Sequence, residues 1–188
     1  RILKTKQEQR LYAKTILESL SLEKRKSKDI IISSRICEIL KTYQSKMTNL
    51  TVGAYCPIQK EVAWYVNWTL KDARFSFPRI FEDKSMKFYQ AAFEKLQKEN
   101  WGISLPETLG ERESLDLDVL IIPGLLFSFE GNRIGRGAGF YDRYLEHFQG
   151  MKIGVCYEEQ MVEKLLTDKH DKKVDLIITD KKIYKVKG

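Results

Sequence analysis

Residues 121–145 read IIPGLLFSFEGNRIGRGAGFYDRYL. An apolar run ends at Pro123 and Gly124. Then Gly131, Gly135, Gly137 and Gly139 fall within nine residues, with Arg133 and Arg136 between them. Phe140, Tyr141, Asp142 and Arg143 open a pattern of helical period. Glycines at this density supply positive-φ backbone or let a ligand approach the main chain. A glycine loop that carries arginines and feeds a helix start suits a polyphosphate, because backbone N–H groups and guanidinium forks both favour anions. The loop is not a Walker loop, since no G-x-x-x-x-G-K-[ST] occurs. It is not the dinucleotide fingerprint either. Its G-x-G-x-G has a different spacing, and no acidic partner follows at the usual distance.

Working outward, residues 115–123 alternate at first and then become wholly apolar, as a central parallel strand does. Before them, the apolar period predicts a helix over residues 4–19 with Ala13, Leu17 and Leu20 on one face and Ile16 beside them. Ser21 is a cap for a second helix that runs to about residue 43 and turns Ile32, Ile36, Ile39 and Leu40 inward. A strand is expected over 50–55, a helix over 62–70, a strand over 74–77 closed by Pro78, and a strand over 86–90. Residues 93–98 read as a brief turn or helix, and 101–106 as an irregular loop. After the glycine loop come a helix over 141–148, a strand over 151–157, a short helix over 161–166 and a last strand over 174–179. Alternating strands and helices predict an α/β fold, an open, largely parallel sheet flanked by helices. No repeat, low-complexity run or linker divides the chain, so residues 1–188 read as a single domain. In such sheets ligands bind beyond the carboxyl ends of the strands. That rule groups residues 59–61, the glycine loop and residues 170–175.

Composition narrows the class. Hydrophobic residues make up 43% of the chain, enough for a sizeable core and against disorder. No apolar run approaches the ~18 residues of a membrane span, and the first ten residues lack the apolar centre of a signal peptide. The three cysteines, Cys37, Cys56 and Cys156, are scattered and odd in number, which fits neither a disulfide framework nor a metal cluster and suits a reducing cytoplasm. The net charge of +7 favours anionic partners. No recognition motif or aromatic–basic platform marks a specific nucleic-acid binder.

Several residues can carry chemistry. Extended backwards, the apolar stripe of the first helix runs into Arg10 and Lys6, two cations that either snorkel or face an anion. Asp142 opens the helix after the loop. There it can complement the macrodipole or hold Mg²⁺ against phosphate oxygens. Asp171, ahead of the final strand, is a turn residue or its partner in such a site. Glu61 follows a strand and precedes the next element. Phe140, Tyr141 and Trp101 are core aromatics or flank a planar ligand. His147 and His170 form no triad with a Ser or Cys, so nucleophilic catalysis is not indicated.

The run from Pro123 to Phe127, followed by Gly131 to Arg143, resembles the signature of the 5-formyltetrahydrofolate cyclo-ligases, also called 5,10-methenyltetrahydrofolate synthetases. The likeness extends to Lys6 and Arg10, to Tyr55-Cys56-Pro57 and Glu61-Val62, to Trp101-Gly102-Ile103 and Pro106, and to Asp171 with Asp175. It implies a cytoplasmic, monomeric enzyme that uses ATP and Mg²⁺ to convert 5-formyltetrahydrofolate, with or without a polyglutamate tail, to 5,10-methenyltetrahydrofolate. No specific nucleic acid or membrane takes part. By motif position, ATP would meet Lys6, Arg10, Arg133, Ile134, Gly135, Arg136, Gly137, Ala138, Gly139, Phe140 and Tyr141. Folate would meet Cys56, Glu61, Trp101 and the loop from Arg136 to Phe140. Asp142 and Asp171 would hold the metal, and Arg136 and Glu61 would be catalytic. The chain departs from the family pattern at Ser128, commonly Asp, at Ala138, often Lys or Gly, and at Phe140, commonly Tyr.

Overall fold

The structure, a computed structural model, describes residues 3–46, 48–92, 94–95, 102–110 and 112–188. Trp101, and all but residues 94 and 95 of the turn expected over 93–98, lie outside the described residues.

Two helices come first. Helix α1 spans Lys6–Ser19 and is capped by Thr5, whose side chain accepts the N–H of Glu8. Leu20 takes an extended conformation, and Ser21 then caps α2 (Leu22–Gln44) by accepting the N–H of Lys24. The apolar stripes fall where the period placed them: Ala13, Leu17, Ile32, Ile36 and Leu40 are all buried.

The main sheet has eight strands. They are β1 (Thr51–Gly53), β2 (Arg74–Ile80), β3 (Met86–Gln90), β4 (Arg112–Glu113), β5 (Val119–Ile122), β8 (Met151–Val155), β10 (Leu176–Ile178) and β11 (Ile183–Lys185). Their order is β11-β10-β8-β5-β1-β2-β3-β4. The five from β10 to β2 are parallel, and β11, β3 and β4 extend the edges antiparallel. β5 lies at the centre, and all four of its residues are buried. A sheet covered on both faces selects such unbroken apolar runs. The α/β expectation therefore holds.

A second, three-stranded sheet lies within and beside the glycine-rich stretch, in the order β7-β6-β9, from β6 (Leu126–Ser128), β7 (Arg133–Ile134) and β9 (Met161–Val162). Phe127 of β6 is buried against Gly124 and against Gly154 of β8. A Cβ on Gly124 would come within 2.6 Å of its ring, so glycine is what lets the two layers close. The turn between β6 and β7 uses Gly131 at φ +87°, and Ser128 Oγ accepts the N–H of Asn132 across it. The hydroxyl does there what a carboxylate could do. Ser128, one of the departures from the family pattern, is thus part of a turn. Helix α3 (Phe140–Leu145) follows the loop.

Four expectations change. Residues 62–70 form turns, not a helix. Trp64 is buried and donates its indole N–H to the Tyr55 carbonyl, and Asn67 takes φ +53°, which breaks helical periodicity. The apolar residues there plug the core through an aromatic cluster with Phe75. Residues 161–166 are not helical either. A 3-10 turn at Glu158–Gln160 leads into β9, whose Met161 pairs with Phe127. Pro78 does not end β2. β1 pairs with it only as far as Ser76, so beyond that point no strand of the sheet asks for the N–H that Pro78 lacks, and the Pro78 carbonyl accepts the N–H of Leu105 there. Finally β11 follows the strand expected to be last, and Asp175 meets the start of β8, accepting the N–H of Lys152.

Candidate active site

Glu61, the glycine loop and residues 168–172 converge with the first turns of α1 on a cavity of about 640 Å³. That volume lies in the range of small-molecule sites.

One group of lining residues is ionic. The stripe of α1 that buries Ala13 and Leu17 brings Arg10 and Lys6 to the cavity at its N-terminal end. The Lys6 ammonium lies 2.9 and 2.7 Å from the two oxygens of Asp171 and 2.8 Å from Asp168. Burial pulls its pKa down, but the two carboxylates outweigh burial and hold it above the ordinary lysine value. Arg10 donates Nε to the Gly135 carbonyl at 2.9 Å. Its guanidinium also runs beside Gly137, where φ is +110° and a Cβ would sit 3.4 Å from Cζ. The loop backbone is thus draped over Arg10.

The two loop arginines face different surroundings. Arg133 is buried. It donates to the Pro123 carbonyl at 3.2 Å, lies 3.7 Å from Asp142, and stands over the Tyr141 ring at 5.3 Å. Desolvation lowers its pKa, partly offset by Asp142. Among the described residues its Nε has no hydrogen-bond partner. Arg136 is half exposed and reaches back across the cavity to Glu61 at 3.2 Å and Gln59 at 3.1 Å. Glu61 also accepts the N–H of Ile58. Burial raises its pKa, with Ile58 and Arg136 pulling the other way. A carboxylate so placed holds its proton more readily than an exposed one. Cys56 and Tyr55 line the same wall. Desolvation pushes the Tyr141 phenol well above its ordinary value.

Gly139, in the left-handed conformation at φ +71°, ends the loop and starts α3, which puts Asp142 in the first turn. Asp142 accepts the N–H of Lys172, one residue after Asp171. The two acids that the sequence could only pair by conjecture therefore line one cavity. No group of three or more His, Cys, Asp or Glu side chains suited to a metal is present among the described residues. Two carboxylates in one cavity are, however, a donor set that Mg²⁺ takes, with phosphate and water oxygens completing its octahedron. The residues present fit the ion.

The other group of lining residues is apolar: Ile80, Met86 and Ile103, with Phe140. Ile80 and Met86 face one another across the β2–β3 hairpin. Of the residues expected at the site, Ile134 is buried and packs with Ala13 and Leu126, while Ala138 is exposed. Asp168, Ile80 and Met86 were not expected. Asp168 stands three residues before Asp171 in the same charged run, and the alternation of Met86 and Phe88 already marked an inward face. Gln59, grouped with Glu61 by its place after a strand, meets the site through Arg136.

The sequence profile of the 5-formyltetrahydrofolate cyclo-ligase family matches residues 3–180. A curated relative named 5-formyltetrahydrofolate cyclo-ligase, from Mus musculus, is 28% identical over 178 residues, covering 86% of this chain and 87% of its own. One of the same name from Mycoplasma genitalium is 31% identical over 140 residues, covering 71% of this chain and 74% of its own. Among solved structures, 5,10-methenyltetrahydrofolate synthetase from Aquifex aeolicus superposes with a TM-score of 0.71 at 27% identity, over 97% of this chain and 93% of its own. The Mycoplasma pneumoniae enzyme of that name gives 0.69 at 26%, over 94% and 99%.

Proposed function

The chain belongs to the 5-formyltetrahydrofolate cyclo-ligase family, and from that premise we propose that it couples ATP cleavage to ring closure of 5-formyltetrahydrofolate. The products are 5,10-methenyltetrahydrofolate, ADP and phosphate. The formyl oxygen attacks the γ-phosphorus and the bond to ADP breaks. N10 then attacks the activated formyl carbon and loses its proton, and phosphate leaves with the former formyl oxygen. No side chain forms a covalent bond. Phosphoryl transfer of this kind needs positioning and charge neutralisation.

The observation that carries this reading is that Lys6, Arg10 and the loop's own Arg136 line one cavity with Glu61 and the Asp142–Asp171 pair. In this reading Lys6 and Arg10 bind the ATP phosphates together with the backbone of residues 134–141. Arg136 stands between nucleotide and folate, where charge moves during transfer. It leaves Glu61 to meet the transferring phosphoryl group, and Glu61 then faces the N5–formyl–N10 region, its carboxylate opposing the positive charge of the methenyl product. Cys56 and the apolar wall receive the folate. Asp142 and Asp171 would hold Mg²⁺, which would supply neutralisation of phosphate charge. Arg133, being buried, acts by holding Asp142 and the base of the loop, with its free Nε turned to whatever oxygen comes near.

The remaining assignments follow the same line. The catalytic unit is a single domain over residues 1–188, working as a cytoplasmic monomer. No helix among the described residues is long and apolar enough to cross a membrane. The net charge of +7 serves anionic substrates, not a nucleic acid. Mixing the protein with 5-formyltetrahydrofolate and Mg-ATP tests the reading: methenyl-folate absorbance and ADP should appear together in equal amounts. Folded protein that yields neither overturns it.

A further inference from the structure

Arg79, on β2, lines no part of the cavity, yet it is among the most heavily engaged side chains of the protein. Its Nε donates to the Leu105 carbonyl at 3.3 Å, and one terminal nitrogen donates to the carbonyls of Pro106 at 3.0 Å, Leu109, and Gly110 at 3.2 Å. The guanidinium lies 4.0 Å above the Tyr89 ring. These contacts gather the far half of residues 102–110 around one planar cation. Two more bonds pin the near half to the same strand. The Leu105 N–H meets the Pro78 carbonyl at 2.7 Å, and Ser104 Oγ accepts the N–H of Ile80 at 3.0 Å. Leu105 is buried in the core, and Gly110, at φ +78°, closes the segment against Tyr89. What this anchor leaves free is Ile103, 49% exposed, on the wall of the cavity with Ile80 and Met86.

A segment without regular structure has no ladder to fix its position. Here a single guanidinium replaces the ladder: one N–H on Nε and two on a terminal nitrogen are shared among four carbonyls, held by the rigid plane that joins them. We propose that Arg79 is a positioning residue for the folate half of the site: by gripping residues 105–110 it sets where Ile103 stands and so shapes the apolar wall that receives the folate. This rests on the reading of the cavity as a folate and ATP site. The nucleotide half is built from α1, the glycine loop and residues 168–172, none of which Arg79 touches. Loss of the anchor therefore acts on one substrate and not on the other.

The test compares wild type with Arg79→Met and Arg79→Lys, varying both substrates and following amide hydrogen exchange. In Arg79→Met, KM for 5-formyltetrahydrofolate rises about tenfold, while KM for ATP and saturated kcat stay within about twofold. Exchange quickens over residues 103–110 and stays slow in β5 and β8. Arg79→Lys, with its charge and stem but no fork, falls between the two. Equal rises in both KM values, a fall in saturated kcat, or an unchanged folate KM with a loosened segment would each overturn the proposal. If Arg79→Met does not fold, Ser104→Ala with Arg79→Lys reads the same split. Wild type without turnover would overturn the functional reading and the folate assignment with it, while exchange would still report whether Arg79 anchors the segment.

Discussion

The glycine-rich stretch contains two regions built on opposite principles. Its root, from β6 to β7, is held by sheet pairing and by Phe127, which is wedged between layers at Gly124 and Gly154. Its tip, residues 135–139, has no strand and little buried side chain. The tip is held by arginines: Arg10 on the Gly135 carbonyl, and Arg136 reaching from the tip to Glu61 and Gln59. The two loop arginines divide along the same line, Arg133 buried in the root and Arg136 half exposed at the tip. The root is therefore built for stability, and the tip is where the proposed chemistry falls. Bonds from side chains that also suit phosphate can be exchanged for bonds to a ligand, whereas packing of an aromatic ring cannot.

Substitutions on either side can break or sharpen this division. Phe127→Ala, in the root, is expected to cost about 3–5 kcal/mol of stability, seen as a large fall in melting temperature. A small loss would mean that the layers are held elsewhere. Arg136→Ala, at the tip, should lower turnover about 100-fold or more, the scale of a lost transition-state donor, with melting nearly unchanged because its ion pair is partly exposed. Unfolding instead would make the tip structural. Asp142→Asn and Asp171→Asn should each raise the Mg²⁺ concentration for half-maximal turnover about tenfold. An unchanged Mg²⁺ dependence would remove the pair from the metal.

Glu61→Gln sharpens the comparison through pH. Burial raises the pKa of Glu61 above 4.5, so the folded chain binds its proton more tightly than the unfolded chain does. The charged carboxylate thus opposes folding at neutral pH, and that opposition fades as pH falls through the raised value towards 4.5. Glu61→Gln should melt at or above wild type at neutral pH and lose that advantage on acidification. An advantage that grows in acid would contradict the direction of the shift. The smallest effect is expected of Ala138→Lys. A cation added at this exposed tip position should lower KM for ATP about threefold at low salt and little at high salt.

The same division explains what the sequence disclosed. The helices were legible because Ser21 caps one and strict periods of Ala13, Leu17, Ile32 and Ile36 mark buried faces. The central strand was legible because β5 is wholly apolar. The site was legible wherever charge broke a pattern, as at Lys6 and Arg10 on an apolar stripe or at arginines among glycines. Residues 62–70 misled because Trp64, Tyr65 and Trp68 bury themselves through turns, so their apolar character follows no period. β6, β7 and β9 were hidden because strands of two or three residues leave no alternation to read. Arg79 was invisible because its acceptors are main-chain carbonyls, which every residue has. The division between Arg133 and Arg136 was equally hidden, since burial is decided by a hairpin that local sequence does not announce.

The contact between Lys6 and Asp171 spans 165 positions of the chain. On a ribosome the helix carrying Lys6 and Arg10 is made before the glycine loop, and the acids at 168 and 171 follow both. Lys6 thus emerges 165 positions ahead of the carboxylate that fixes it. A chain interrupted between the two holds the cation without its counter-charge, and the ionic lining of the cavity is complete only once residues 168–171 have been added.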